Sequence, residues 1–138
     1  MTRPYAPMVQ KLKAHGLRPT RQRLALAKLL FDKGNRHITA EQLHAEAKDD
    51  GARVSLATVY NSLHQFTEAG LLREVVVDSN RSYFDTNVAD HHHLYFEENG
   101  ELEDVAADAV AVTALPTPPP GAKISRVDVV IRVVRDQG

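Results

Sequence analysis

The chain has 138 residues, 43% of them apolar, which suits one compact unit or two small ones. It has no cysteine, so disulfides, thiolate-bound zinc and thiol catalysis are excluded, and any metal chemistry must use histidine and carboxylates. The net charge of −1 hides a swing: Met1 to Phe84 carries 13 Lys+Arg against 8 Asp+Glu (+5), and Asp85 to Gly138 carries 4 against 10 (−6). The first half suits a polyanion and the second would repel one. No apolar run reaches the length of a membrane helix, and the opening MTRPYAPMVQ has no hydrophobic signal core. A soluble cytoplasmic protein with no membrane contact is expected.

Four helices are expected before residue 72. APMVQKLKAHG puts Met8, Val9 and Leu12 on one stripe and closes at Gly16. PTRQRLALAKLLFDKG starts at Thr20 and ends at Gly34, with Leu24, Ala27 and Phe31 roughly a turn apart. In ITAEQLHAEAKDDG, Thr39 can cap the Gln42 amide while Gln42 reaches back, and Ile38 and Leu43 stand where a hydrophobic staple would. VSLATVYNSLHQFTEAG repeats the design. Ser55 is its N-cap, Val54 faces Val59, the buried stripe is Leu56, Val59, Leu63 and Phe66, and Gly70 is the stop.

The apolar period then changes to two. LLREVVVD and RSYFDT flank a turn at Ser79-Asn80. Helices followed by a β-hairpin predict a winged helix-turn-helix over residues 1–84, with DGARV linking the third and fourth helices as the helix-turn-helix pair. Further on, HHHLYFEENGELEDV reads as a hairpin about Asn99-Gly100, AADAVAVTAL as a short apolar helix and PTPPPG as a stiff connector. ISRVDVVIRVV reads as a half-buried strand with Val127, Val129, Ile131 and Val133 on one face. The expected fold class is α+β, an N-terminal winged helix-turn-helix followed by a small α/β dimerisation domain over residues 85–138. A core so small needs a partner surface, and a homodimer supplies one.

Double-stranded DNA is the expected partner of the basic half. The fourth helix exposes Ser55, Ala57, Thr58, Tyr60, Asn61 and His64, groups that reach base edges without crowding a major groove. Arg18, Arg21 and Arg23 cluster at the second helix, Arg53 precedes the fourth, and Arg73 and Arg81 lie in the wing, where they would neutralise phosphates. The plainer alternative is a helical domain with solvated basic residues.

The acidic half reads as a sensor. Alternation along a strand turns His91 and His93 to one face and His92 to the other. Asp85 precedes them at the end of the wing, and Asp104 lies across the hairpin. Two imidazoles with one or two carboxylates suit Mn²⁺, Fe²⁺ or Zn²⁺. His37, before the third helix, is the candidate ligand from the basic half, although a polar residue at a helix start explains it equally. Haem is the rival to a simple ion, with Tyr95 and Phe96 as wall residues or as core. An exposed linker run is the bland alternative for His91, His92 and His93.

The segments LRPTRQRLALAKLL, HITAEQLHAEA, VSLATVYNSLHQFTEAGLL and SYFDT…HHHLYFEENGELEDV resemble the ferric uptake regulator (Fur) superfamily from about Gly16 to Asp104. The cysteine-free HHHLYF segment is most similar to the iron response regulator (Irr) branch. The resemblance implies a homodimeric, metal-responsive transcription factor and no enzyme. It implies a regulatory metal site at His37, Asp85, His91, His93 and Asp104, at the hinge between domains. The Irr branch implies haem sensing at His91, His92 or His93, with DNA binding when iron is scarce and loss of function on haem binding. Three departures stand out. Phe96 and Asn99 occupy the positions of one zinc-binding Cys pair and the second pair is absent, so no cysteine-bound structural zinc is expected and packing must replace that clamp. A further site of some relatives keeps Asp90 and His92 but lacks a later histidine. Asn61 stands where relatives often carry arginine, exchanging a guanine-preferring fork for an amide suited to adenine. The competing readings are a zinc hydrolase on three histidines, disfavoured because successive strand residues cannot face one ion, and a ligand-independent repressor.

Overall fold

The computed structural model describes residues 5–136, so the first four residues of the stretch searched for a signal core lie outside it. The chain divides into two compact units, Met1–Val88 and Ala89–Gly138. The division falls later than the expected boundary at Asp85. Asp85 closes a strand of the first unit, and the next residue, Thr86, donates its amide to the Arg36 carbonyl at 3.1 Å.

The first unit contains α1 (Ala6–Ala14), α2 (Arg21–Phe31), α3 (Ala40–Asp49) and α4 (Leu56–Glu68). The starts follow from local chemistry. The side chains of Thr20, Thr39 and Ser55 accept the amides of Arg23, Gln42 and Thr58, and Gln42 returns the bond to Thr39, completing a capping box. Gly70 takes a φ of 85° after α4, which lets the Leu71 amide reach back to the Phe66 carbonyl at 2.9 Å.

Leu12, Leu26, Leu30, Ile38, Leu43, Val59, Leu63, Phe66 and Phe84 form the centre of the core. The buried face of α2 is Leu26, Ala27 and Leu30, and the expected Leu24 and Phe31 lie at its margin. Among the described residues, no helix is long and apolar enough to cross a membrane.

A three-stranded sheet completes this unit, with β1 (His37–Ile38), β2 (Arg73–Asp78) and β3 (Arg81–Asp85) in the order β1-β3-β2. The hairpin of β2 and β3 turns at Ser79-Asn80, as expected. Strand β1 was not foreseen, because two residues carry no period. It pairs antiparallel to β3, with Ile38 opposite Phe84 and His37 opposite Asp85. Arg73 departs from its expected place on the exposed wing. It is buried at 4% exposure, because it shares a strand face with buried Val75.

The second unit is a sheet in the order β5-β4-β6, made of β4 (His91–Phe96), β5 (Glu101–Ala106) and β6 (Val130–Val133). Strands β4 and β5 form the expected hairpin. Gly100 donates its amide to the Phe96 carbonyl at 2.8 Å, and Asn99 Oδ1 accepts the Glu101 amide at 3.0 Å. The expected helix in AADAVAVTAL is absent. A single 3₁₀ turn spans Ala107–Ala109, and Val110 is already extended. The β-branched Val110, Val112 and Thr113 disfavour helix, and Pro116 bars its continuation. The last strand is shorter than expected and pairs parallel to β4, with Ile131 exposed rather than on a common buried face with Val133. The second domain is therefore a sheet without the α-helix expected of it.

Removing the Thr39 cap should cost about 1 kcal/mol. Thr39→Ala is expected to lower the urea midpoint of helical circular dichroism by less than Leu63→Ala, whose cavity should cost about 2–5 kcal/mol.

Candidate functional site

Each unit presents its own set of ligand-type side chains. In the second unit, strand alternation buries His91 and His93 to 6% and 3% exposure on one face of β4. Asp104 of β5 is the register partner of His93. Its Oδ1 lies 3.3 Å from His91 Nε2 and 3.5 Å from His93 Nε2. One ligand atom from each of these three residues lies within 4.8 Å of the others.

His91 is also oriented from behind. Its Nδ1 meets the Ala89 carbonyl, which can only accept, so Nδ1 carries a proton. In the neutral ring, the Nε2 lone pair then faces a carboxylate oxygen. That arrangement is repulsive unless a proton or a cation stands between them, so the donor set fits a positive ion. A carbonyl holding the rear nitrogen is the usual outer support of a metal-binding histidine.

In the first unit, β1 and β3 set His37 against Asp85, with Nε2 to Oδ2 at 3.4 Å. Asp85 is buried at 1% exposure, and its Oδ1 accepts the Asn87 amide at 2.9 Å, which turns Oδ2 toward His37. The sequence placed Asp85 by the end of its strand but gave His37 little weight of its own, because the signal that positions it is β1. All five expected ligands offer a donor atom, two in the first unit and three in the second. Imidazole and carboxylate donors without thiolate suit Fe²⁺, Mn²⁺ or Zn²⁺.

His92 differs from its neighbours. It is half-buried on the other face of β4, and its Nδ1 accepts the Val129 amide at 3.2 Å. A neutral His92 therefore holds its proton on Nε2, and the three histidines are not equivalent ligands.

The expected base-reading residues lie on α4. Ser55, Ala57, Tyr60, Asn61 and His64 are exposed, and Thr58 is half-buried. Ser55, Thr58 and Tyr60 already hold intramolecular hydrogen bonds. The Ser55 and Thr58 hydroxyls bond each other at 3.0 Å, and Tyr60 Oη donates to Glu41 Oε1 at 2.6 Å. The hydrogen bond to Glu41, with some burial and the Glu41 charge, raises the Tyr60 phenol above its ordinary pKa. His64 stacks on the Tyr60 ring at 6.4 Å.

Arg18, Arg21, Arg53 and Arg81 are exposed, and Arg21 and Arg53 line one groove of about 870 Å³ over Leu24, Ala52 and Val54. Arg23 instead braces the fold, bonding the Arg18 carbonyl at 3.0 Å and Gln65 Oε1 at 2.7 Å. Sequence reasoning missed Glu41 and the carbonyl of Ala89, neither of which has a local pattern.

The fold and this histidine–carboxylate inventory define a class of winged-helix regulators with a β-sheet second domain. A model of the ferric uptake regulator family matches residues 14–131, and the chain belongs to that family. It is similar to the peroxide-responsive repressor PerR of Staphylococcus aureus (strain Mu50 / ATCC 700699), 31% identical over 96 residues, which are 70% of this chain and 64% of that repressor. The match thus spans less than two thirds of that relative's length. Its α+β fold is similar to the ferric uptake regulator of Vibrio cholerae, with a TM-score of 0.72 and 24% identity over 93% of this chain and 99% of that one. It is also similar to the regulator from Pseudomonas aeruginosa with manganese, with a TM-score of 0.68 and 24% identity over 93% and 97% of the two chains.

In ion-free protein with the rings neutral, long-range ¹H–¹⁵N spectra should show His91 protonated on Nδ1 and His92 on Nε2. The opposite pattern at either ring would remove the orientation argument.

Proposed function

We propose that this chain is a cytoplasmic, homodimeric transcription regulator whose binding to double-stranded DNA responds to a divalent metal ion. The ion takes ligands from His37, Asp85, His91, His93 and Asp104. The observation that carries this reading is His91, held by a carbonyl so that its Nε2 is aimed at Asp104. When bound, the ion supplies positive charge between imidazole lone pairs and carboxylates that otherwise repel. Its regulatory effect equals its preference for one arrangement of the two units over others, not its total affinity.

The residues of the chain divide the remaining work. The exposed start of α4 would enter the major groove, with Ala57 offering a methyl contact and Asn61 an amide suited to adenine. Arg18, Arg21, Arg53 and Arg81 would contact phosphates, while Arg23 holds α2 against α4. Ser55 and Thr58 chiefly cap the helix, and Tyr60 would present its ring and an acceptor oxygen because its hydroxyl proton is bound to Glu41. Exposed Val112, Leu115, Ile131 and Val134 support pairing of the second unit with another copy.

The Irr branch and its haem are the finer alternative. An axial haem ligand at His91 or His93 must leave a buried place beside Asp104, and one at His92 must surrender the Val129 bond or its Nε2 proton. These contacts favour the simple ion.

Selection of a duplex followed by gel shift tests the proposal. Mn²⁺ should tighten wild-type binding about tenfold or more, within the usual range of allosteric coupling, and His93→Ala or Asp104→Asn should abolish the increment. Affinity unchanged by Mn²⁺ in wild type would remove the sensor reading, and tightening or release by haemin alone would move it to haem. In the same assay, Arg53→Ala should reduce the salt slope of binding by about 0.9, while buried Arg73 should contribute nothing to that slope.

A further inference from the structure

Arg36 stands one residue before His37 and joins three parts of the first unit. Its backbone amide donates to Thr86 Oγ1 at 2.9 Å, and its carbonyl accepts the Thr86 amide at 3.1 Å. Thr86 follows Asp85, so these bonds form the rung directly beside His37 and Asp85. The Arg36 guanidinium closes a fork on Glu46 of α3, Nη1 to Oε1 at 2.9 Å and Nη2 to Oε2 at 2.6 Å. Nη1 also donates to the Leu29 carbonyl of α2 at 3.1 Å.

Strand β1 is two residues long, so the rung beside it is a large share of the ladder that carries His37. An ordinary exposed ion pair would add little to that. This one is planar and bidentate, partly shielded, and has a backbone carbonyl as a third partner. Those features give a guanidinium directional hold that an ammonium lacks. Both side chains lie at the edge of the unit, 27% and 37% exposed.

We infer that Arg36 is a positioning residue for the ion. It locks the rung beside the His37–Asp85 pair and ties that pair to α2 and α3 through the Leu29 carbonyl and Glu46. The inference rests on the reading that His37 and Asp85 are ligands. The tie links ion occupancy to the placement of α3, so whatever stabilises one stabilises the other.

The test is a Mn²⁺ titration of the ion-free full chain, with free Mn²⁺ read by electron paramagnetic resonance. It compares wild type, Arg36→Lys, Glu46→Gln and Asp85→Asn, with the thermal midpoint of each ion-free protein. Arg36→Lys and Glu46→Gln should weaken Mn²⁺ binding about tenfold or more, as loss of an outer-shell support does, and Asp85→Asn should weaken it further. A purely structural fork would lower the thermal midpoint and leave Mn²⁺ affinity unchanged, which overturns the inference. Should Arg36→Lys fail to fold, Glu46→Gln carries the test, since it keeps an acceptor for the guanidinium. If Asp85→Asn alone weakens binding, the positioning role falls and the ligand reading stands. If Asp85→Asn has no effect, or wild type binds no Mn²⁺, the ligand reading falls and takes the inference with it.

Discussion

The short antiparallel pairing of β1 with β3 is the constraint on which the first unit depends. It makes the chain extended for two residues between α2 and α3. One of those residues, Ile38, goes into the core opposite Phe84, and the other, His37, is set against Asp85. Strand alternation allows no other division, since neighbouring side chains must face opposite ways. The hydrophobic core and the His37–Asp85 pair are thus two sides of one ladder. A change that frees Ile38 from the core also loosens His37.

The second unit solves a related problem with less apolar material. Its hairpin register puts Asp104 across from His93, and alternation brings His91 to the same face. Burial of two imidazoles is tolerable because each ring has a polar partner, the Ala89 carbonyl for His91 and Asp104 for His93. The result is a set of donor atoms oriented toward one another. The acidic balance of this half is consistent with holding a cation and with leaving phosphate contacts to the basic half.

What the sequence made legible was mostly short in range. Caps at Thr20, Thr39 and Ser55 depend on residues three positions away and were readable, as was the turn at Asn99-Gly100 that fixes the hairpin register. The facing of His91 and His93 followed from a period of two. The unread features depend on distant partners. Strand β1 is too short for any period and exists because Phe84 and Asp85 lie beside it. The contact of Arg36 with Glu46 joins separate elements. Arg73 reads locally as a surface charge, and only its phase with Val75 on β2 buries it. The helix expected after Ala106 does not form for another reason: the segment is apolar without a helical period, and its β-branched residues favour extended chain.

Tyr95 has a further consequence. Among the described residues beyond Val88 it is the one buried hydrophobic side chain, accompanied by two buried imidazoles. A sheet with so little interior of its own has small intrinsic cohesion. On the proposed reading, a bound cation or a neighbouring copy would add to its order, and both obey mass action. Dilution and chelation would then loosen this sheet before the helical unit, so that the amounts of protein and of free ion would together govern how much of the chain is completely folded.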